Sequence, residues 1–326
     1  MAGIRKTVAH SVSEMDKLRP LWNELLRHCP KTMFQRFAWN RLAAQMFRDR
    51  FSPMVCAVES DNGAAIIPAA LNREANWLEL LGETLFDYRS VLHAGDRNLL
   101  HVAWEMLEAL DAPLWLIAME EEEAKTTWSD FSPVEYARAP WVDASKITAE
   151  QFRHAHARAA RQLRRLHKAG VSLHQYSGAE HSMLERIYRL KGDQFPGDIN
   201  NVFRDQQRRG FMVAIAAAEA ENCRVLTLED AVHSVVAALV TFADGGMRRF
   251  YTTYFNPDWA VYSPGVALLF EATALALEQG FSCDYMTGEY PYKLRFANAS
   301  RRLYRIDLSA SEFVGIVRRQ VARRAA

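Results

Sequence analysis

The fold is decided by residues 250–296, which read FYTTYFNPDWAVYSPGVALLFEATALALEQGFSCDYMTGEYPYKLRF. The aromatic and threonine residues of Arg248–Phe255 favour a strand, and a helix follows from Ser263 to Gly280. A second strand over Phe281–Met286 and a short helix over Tyr292–Phe296 complete the segment. The order predicts a helix that crosses over between two strands of one sheet. The face predicted to pack on the sheet comprises Val266, Leu269, Phe270, Ala274 and Leu277, and the face predicted to meet water comprises Glu271, Glu278 and Gln279.

The start of the long helix has the features of an anion-binding site. We expect Ser263 to cap the helix, Pro264 to take its first position and Gly265 to let a ligand approach the backbone. A helix start carries partial positive charge and unpaired N–H groups, which suit a phosphate or pyrophosphate. Val266 and Ala267 continue the same turn. The alternative for this motif is a well-capped structural helix without a ligand.

Composition limits the classes of protein to consider. The 326 residues suffice for about two domains, and 49% hydrophobic residues can fill their cores. The 40 Lys and Arg against 39 Asp and Glu give a net charge of +1, which does not indicate a dedicated nucleic-acid binder. No signal-peptide core and no run approaching the roughly 20 apolar residues of a membrane span occur, so we predict a cytoplasmic protein without a membrane span. The 4 scattered cysteines lack a C-x-x-C pair, which indicates free thiols and no metal site.

The chain is predicted to divide near Pro140–Glu150 into two halves, residues 1–145 and 146–326, with similar element order. The fold class is mixed α/β, with a central sheet flanked by helices in each half. In the first half we predict helices over Val12–His28, Phe37–Phe47 and Leu99–Leu110, a hairpin of Pro53–Glu59 and Ala64–Leu71, and strands at Trp77–Leu81 and Leu114–Ala118. In the second half, before residue 250, we predict helices over Arg158–Gly170, Ala179–Asp193 and Val202–Gly210 and strands near Val171–Tyr176, Cys223–Leu228 and Val232–Phe242.

Two motifs carry a resemblance to a known family. The successions YFNPDWAVYSPG and ALEQGFSCDYMTGEYPYKLRFA resemble GNAT-fold proteins of the CelD-like or BioF2-like acetyltransferase type, which are relatives of the Fem-type peptidyltransferases. RAARQLRRLHKAG at Arg158–Gly170 resembles the arginine-rich helix that opens the second half of that family, and Leu18–Trp39 resembles its start. The resemblance covers nearly the whole chain. It implies tandem GNAT-like domains, the first degenerate and the second an acyltransferase.

The resemblance implies acetyl-CoA or another acyl-CoA as co-substrate, bound at Ser263–Ala267. In the general GNAT pyrophosphate loop, Gly265 and Ala267 fit, but Tyr262 stands where Gln or Arg is expected. A Fem-like member would instead take its acyl group from an aminoacyl-tRNA, so both donors stay open. The implied acceptor is a small molecule such as a sugar or amine, or an envelope or exopolysaccharide precursor. A third possibility is a catalytically silent accessory protein, peripherally associated with a polysaccharide-synthesis complex.

Acyl transfer needs a polarised carbonyl, a proton acceptor for the attacking group and a proton donor for the leaving group. The resemblance implies that Lys293 opposes the developing oxyanion, and a surface lysine is the alternative. Asp284 and Glu289 are candidate general bases in a partly apolar cleft, although Asp284 could instead hold backbone amides. The candidate phenolic donors are Tyr254, Tyr290 and Tyr292, with core packing as the alternative for each.

The arginine-rich helix is predicted to carry a cationic stripe that comprises Arg158, Arg161, Arg164, Arg165 and Lys168. The opposite face is apolar, so the helix packs on the protein and presents the stripe outward. Because arginine forks match phosphate oxygens, we expect Arg158, Arg161 and Arg165, together with Tyr254, to contact the substrate. The phosphates would belong to coenzyme A, a nucleotide sugar or tRNA. A solvated helix face is the alternative.

Overall fold

The computed structural model describes residues 3–29, 32–127 and 133–325, with the backbone alone for residues 125–127 and 321–325. The chain forms two compact units, Met1–Ala137 with Arg302–Ala326, and Arg138–Arg301. The predicted division into domains of residues 1–145 and 146–326 stays a prediction.

The helices and strands are as follows in chain order. Up to residue 127 they are β1 (Arg5–Ala9), α1 (Val12–His28), α2 (Phe37–Met46), β2 (Phe51–Ser60), β3 (Gly63–Asn72), β4 (Leu78–Leu80), β5 (Leu92–Gly95), α3 (Asn98–Glu105), β6 (Leu114–Glu120) and α4 (Glu121–Thr127). From residue 133 they are β7 (Val134–Val142), α5 (Ala149–Ala155), α6 (Ala157–Lys168), β8 (Ser172–Ser177), α7 (His181–Asp193), α8 (Gln206–Ala218), β9 (Cys223–Glu229), β10 (Val235–Asp244), β11 (Met247–Phe255), α9 (Pro264–Glu278), β12 (Ser282–Asp284), α10 (Pro291–Leu294), β13 (Ala299–Leu308) and α11 (Ala310–Ala325). A 3₁₀ helix at Pro257–Tyr262 leads into α9.

The first unit contains a mixed sheet in the order β1-β2-β3-β4-β6-β13, with β5 paired to β3. The β2–β3 hairpin turns between Ser60 and Gly63 as its Asp-Asn-Gly sequence predicts, and β4 runs parallel to β6. Trp104 of α3 and Phe313 of α11 meet edge to face with ring centroids 6.2 Å apart. Phe313, Ile316 and Val317 of α11 therefore belong to the core of this unit.

The second unit contains a sheet in the order β7-β12-β11-β10-β9-β8. Only the β11–β12 pair is parallel among its described pairs, and α9 is the crossover between these two strands, as the sequence predicts. The predicted fold class, a mixed sheet flanked by helices, is confirmed in both units. Buried residues of α6 and α9 form one hydrophobic cluster with this sheet.

One polar residue of α9 differs from the expectation. Glu271, predicted to face water, has a side chain only 15% exposed and accepts a hydrogen bond from Arg153 of α5 at an N–O distance of 2.8 Å. Glu278 accepts a second hydrogen bond from Arg153 at 2.9 Å and is exposed, as predicted. Behind this ion pair Phe152 stacks on Phe270, with ring centroids 5.7 Å apart. Because these contacts lie between α5 and α9, they anchor the helix whose start is the predicted anion site.

Several predicted boundaries are wrong. The strand predicted over Phe281–Met286 extends only over Ser282–Asp284, because the backbone turns at Met286, where φ is 62°. The helix predicted over Leu99–Leu110 ends at Glu105, and a separate 3₁₀ turn follows. The elements that the sequence pattern missed are β1, β5, β7, β13, α4 and α5.

The parallel pairing of β11 and β12 ends in a buried ion pair. Arg249 is the last residue of β11 paired with β12, and its partner is Asp284. The Arg249 guanidinium donates from Nη1 to Oδ2 of Asp284 at 2.5 Å and from Nε to Oδ2 of Asp244 at 2.7 Å. Arg249 is 5% exposed and Asp284 is 1% exposed. Beyond this point β11 continues to Phe255 along β10 only.

We expect Arg249→Met to destabilise the second unit strongly. The substitution keeps an apolar stem but leaves the carboxylates of Asp244 and Asp284 buried without this cation, a loss that typically costs about 3–5 kcal/mol. Urea denaturation of the native protein and the variant measures it. The control is Arg5→Met, because Arg5 pairs with Glu59 at the surface and exposed pairs contribute little. Equal stability of the two variants would contradict the anchoring role of Arg249.

Candidate active site

A cavity of about 570 Å³ lies in the second unit, next to the end of β11. Its walls come from four places: Thr253–Phe255 at the end of β11, Ser263–Val266 at the start of α9, residues 191–198 at and after the end of α7, and Tyr290 and Tyr292 at α10. On this side of β11 the partner strand β12 ends at Asp284, opposite Arg249, and no other strand of the described residues continues beyond it, which leaves the end of β11 open to the cavity.

The start of α9 points into this cavity in a way that differs from the expected cap. Ser263 occupies the N-cap position with a φ of 52°, but its hydroxyl makes no capping hydrogen bond, so that part of the prediction is wrong. Its carbonyl accepts the Ala267 amide at 3.1 Å. The first amides of a helix have no intrahelical acceptor. Here those of Gly265 and Val266 belong to residues that line the cavity.

Four of the five predicted cofactor-binding residues, Ser263 to Val266, line the cavity, whereas Ala267 is fully buried. At Gly265 the cavity is lined by backbone atoms alone, because glycine has no side chain. A Cβ atom built on it would lie 3.5 Å from the Phe255 ring, an ordinary contact distance. The sequence argument for glycine at this position, close approach of a ligand to the backbone, fits this geometry.

Lys191 is one of the cavity residues that the sequence analysis missed. It lies in the last turn of α7, donates from Nζ to Oε1 of Gln194 at 3.2 Å, and lines the same cavity as the start of α9. Gln194 in turn donates to the Phe255 carbonyl at 2.7 Å. Burial lowers the pKa of Lys191 below its ordinary value, and the nearby carboxylate of Asp198 opposes this effect. A cation held in a partly desolvated cavity is suited to bind an anionic group of a ligand.

Two of the predicted phenols meet in the cavity. Tyr292 is half-buried and lines the cavity beside Thr253, while its ring stacks on Tyr290 with centroids 5.9 Å apart. Burial raises the pKa of Tyr292 above its ordinary value, although the side chain of Thr253 lowers it in part. Tyr254 also lines the cavity, and burial raises its pKa too. The phenols of Tyr254 and Tyr292 therefore stay protonated at neutral pH.

The other predicted catalytic side chains do not line the cavity. The Asp284 carboxylate is engaged by Arg249 and accepts the Met286 amide at 2.8 Å. Lys293 is only 8% exposed and donates from Nζ to the carbonyls of Thr287 at 2.5 Å and Met286 at 3.4 Å. Glu289 is exposed at the tip of the loop between them, not in an apolar cleft as expected. Asp284 and Lys293 thus clamp the two ends of the loop 285–292.

The predicted cationic stripe lies on the exposed face of α6, and its apolar face is buried as predicted. Arg158, Arg161 and Arg165 do not line the cavity. Arg165 nevertheless reaches its border, because its guanidinium lies 5.3 Å from the ring centroid of Tyr262, the residue before Ser263. The stripe therefore begins beside the start of α9 and extends away from it.

The described residues contain no group of three His, Cys, Asp or Glu side chains placed to hold a metal ion. In the same part of the chain no helix is both long enough and apolar enough to cross a membrane.

Comparison with known proteins shows what this part of the chain resembles. Residues 150–294 match the family model described as acetyltransferase (GNAT) domain. No curated protein matches the sequence. The matched residues include those that line the cavity, and the prediction of an acyltransferase is confirmed at this level.

Solved structures resemble the chain over almost its whole length. FemX has a TM-score of 0.60 at 9% identity and covers 96% of this chain and 100% of its own. The C-terminal domain (DUF2156) of an Agrobacterium fabrum protein assigned as a lysylphosphatidylglycerol synthetase has a TM-score of 0.60 at 11% identity, with 94% and 96% covered. A tandem GNAT protein from the clavulanic acid biosynthesis pathway has a TM-score of 0.53 at 11% identity, with 94% and 98% covered. At these identities the likeness concerns the fold, and it supports the predicted GNAT-like tandem arrangement.

We expect Lys293→Met to reduce stability because of the loop clamp. Losing the ammonium leaves two largely buried carbonyls without this donor, and an unsatisfied buried polar group costs about 1–3 kcal/mol. Thermal and urea unfolding of the variant measure the loss, with Lys168→Met as a control at an exposed position. A Lys293→Met protein as stable as the native one would contradict the clamp, and it would leave the ammonium available for the predicted oxyanion contact.

Proposed function

We propose that this protein is an acyl-CoA-dependent N- or O-acyltransferase whose acceptor is a sugar, an amine or an envelope or exopolysaccharide precursor. The observation that carries the proposal is the convergence of three features in one cavity: the amides at the start of α9, the Lys191 ammonium and the Tyr292 phenol. The match of residues 150–294 to a GNAT acetyltransferase domain supports the same reaction type.

The donor is proposed to bind with its pyrophosphate against Ser263–Val266. Helix amides and partial positive charge at this end favour a diphosphate, and the absence of a side chain on Gly265 leaves room for it. Lys191 adds a full positive charge to the same cavity. The general GNAT loop has Gln or Arg at the position of Tyr262. We propose that the α9 amides and the Lys191 ammonium supply the phosphate contacts instead, which makes the site compatible with an acyl-CoA.

The transfer forms a bond from the acceptor nitrogen or oxygen to the acyl carbon and breaks the carbon–sulfur bond of the thioester. The leaving thiolate needs a proton, and Tyr292 can donate one because its phenol is protonated at neutral pH. The ring of Tyr290, which stacks on that of Tyr292, helps to orient the phenol. We assign Tyr292 this role, with Tyr254 as a further contact to the substrate.

The proton of the attacking amine or hydroxyl must be accepted by a group other than Tyr292, which donates to the leaving thiolate. Asp284 is engaged by Arg249 and the Met286 amide, so we assign it a positioning role. Glu289 is exposed beside Tyr290 at the cavity border and would act through a water molecule. Lys293 is proposed to hold the loop that carries both tyrosines, and Arg158, Arg161 and Arg165 to contact phosphates outside the cavity.

Transfer from aminoacyl-tRNA is the second candidate function. The specific observation in its favour is the exposed arginine stripe on α6, together with Tyr262 in the loop position of Gln or Arg. A catalytically silent accessory of a polysaccharide-synthesis complex is the third. Coenzyme A binding separates the first proposal from both, because neither alternative requires affinity for coenzyme A.

We expect Gly265→Glu to weaken coenzyme A binding well over tenfold, a loss of more than about 1.4 kcal/mol. The substitution places a side chain and a negative charge where the pyrophosphate is proposed to lie. Isothermal titration calorimetry measures the affinity, and Lys191→Met is titrated beside it because it removes the cation of the same cavity. Gly246→Glu is the matched control, since a side chain there meets open space in the β10–β11 turn. Native affinity in a folded Gly265→Glu protein would exclude the site.

We expect Tyr292→Phe to lower the rate of thiol release from acetyl-CoA about 100-fold or more while leaving coenzyme A affinity nearly unchanged. A general acid must be protonated, so the native rate should fall only as pH rises through the raised pKa of Tyr292, above the ordinary value of about 10. Thiol release is followed with a chromogenic disulfide reagent in the presence of a panel of amines and amino sugars. Tyr290→Phe is the control in the same cavity, and a native rate in Tyr292→Phe would transfer the role to another group.

A further inference from the structure

Large hydrophobic side chains are exposed on segments that line or directly adjoin the cavity. Among the described residues 9 such side chains are exposed, and 5 of them lie on segments that line or directly adjoin the cavity. These five, which we call the apolar rim, are Phe195 (45% exposed), Ile199 (89%), Val261 (72%), Tyr290 (58%) and Leu294 (46%).

The rim is assembled from three separate segments of the chain. Phe195 and Tyr290 line the cavity, Ile199 follows the lining residue Asp198, and Val261 follows Ala260. Leu294 lies on α10, two residues after Tyr292. A single exposed hydrophobic residue needs no explanation, but a cluster around one cavity marks an interaction surface.

Charges beside the rim indicate what it meets. Three exposed carboxylates, Asp198, Asp258 and Glu289, adjoin the rim and would repel an anionic partner on their own. The stripe of α6 adds five exposed cations, and none of these forms an ion pair with the part of the chain that the structure describes. Arg165 connects the two regions, because it lies over the ring of Tyr262, the neighbour of Val261.

We propose that the apolar rim and the α6 stripe together dock this protein on an anionic membrane surface, with the mouth of the cavity toward the lipid. Exposed aliphatic and aromatic side chains beside a row of Lys and Arg are the composition of an interfacial membrane contact. Phe195 and Tyr290 are side chains suited to the boundary between headgroups and acyl chains. A nucleic acid would use the stripe but would not desolvate Ile199 or Val261, so the rim favours lipid over RNA.

The docking has a consequence for the substrate of the cavity. A mouth that faces the headgroup layer admits molecules that are themselves anchored in the membrane, such as a lipid-linked amine or sugar. The acceptor class proposed above is thereby narrowed to lipid-borne molecules, a step that rests on the proposed function. The docking itself does not, because it requires no acyl transfer.

Vesicle binding tests the docking with the full chain and without an acyl donor. Sedimentation is measured with vesicles of phosphatidylcholine alone and of phosphatidylcholine and phosphatidylglycerol in equal amounts. We expect binding to the anionic vesicles that weakens with added salt. The double variant Ile199→Ser/Val261→Ser should bind at least about tenfold more weakly, because both side chains lose apolar area that the proposal places in the interface. Val232→Ser is the matched control, since Val232 is 79% exposed in the β9–β10 turn and does not border the cavity.

The contribution of the α6 stripe is tested with the double variant Arg164→Gln/Lys168→Gln. Each basic residue near an anionic surface strengthens binding about fivefold, so we expect this variant to bind anionic vesicles roughly tenfold or more weakly. Lys17→Gln/Arg27→Gln removes the same charge from exposed positions of α1 and should bind like the native protein. Thermal unfolding confirms that each variant is folded.

Absence of vesicle binding by the native protein overturns the proposal, as does equal loss in the Val232→Ser control or full binding by the Ile199→Ser/Val261→Ser protein. Binding of a mixed tRNA pool that depends on Arg164 and Lys168, without vesicle binding, would identify the stripe as a nucleic-acid surface instead. None of these outcomes depends on coenzyme A affinity, so failure of the docking and failure of the proposed acyl transfer are distinguishable.

Discussion

The buried ion pair between Arg249 and Asp284 is the constraint on which the geometry of the second unit depends. It joins β11 and β12 at their last paired residues, so the two strands are fixed together up to one point and separate beyond it. The same carboxylate accepts the Met286 amide and so starts the turn that carries the chain away. The end of β11 and the loop 285–292 therefore diverge from a fixed origin, and the cavity occupies the space between them.

Two lysines of this region show how surroundings decide what a charge can do. The Lys293 ammonium donates hydrogen bonds to the backbone carbonyls of Met286 and Thr287, and these bonds hold the loop in place. Lys191 donates its ammonium to the neutral amide oxygen of Gln194 and lines the cavity, where burial lowers its pKa. A charge that the protein solvates incompletely is available to a ligand, whereas a charge that the backbone solvates is not.

The sequence predicted the parts of the fold whose signals are local. Helix α1, the β2–β3 hairpin and the β11-α9-β12 crossover have periodicity or turn residues that specify them within a few positions, and the structure has all three. Helix α9 also places Ser263–Val266 at the cavity, as a phosphate site at its start requires. Strand β13 was missed because its exposed, arginine-rich alternation is weak evidence of a strand until a partner strand is known.

Tertiary partners account for the rest of the differences. No local pattern reveals that Arg153 reaches Glu271, that Arg249 reaches Asp284, or that Lys293 meets carbonyls of its own loop, since each contact depends on how the chain folds back. Lys191 was missed for the same reason. A lysine at the end of an amphipathic helix ordinarily faces water, and only the position of β11 encloses it.

The clamp of the loop 285–292 also bears on how this site can diverge in evolution. Both fastenings are made by side chains at the ends of the loop, Asp284 and Lys293, and both act on backbone atoms of Met286 and Thr287. Backbone contacts do not depend on the exposed side chain of Glu289, whereas the ring of Tyr290 lies 5.3 Å from the Lys293 ammonium and stacks on Tyr292. Related chains that keep Asp284, Tyr290 and Lys293 can therefore exchange the residue at position 289, and with it part of the surface that an incoming acceptor meets first.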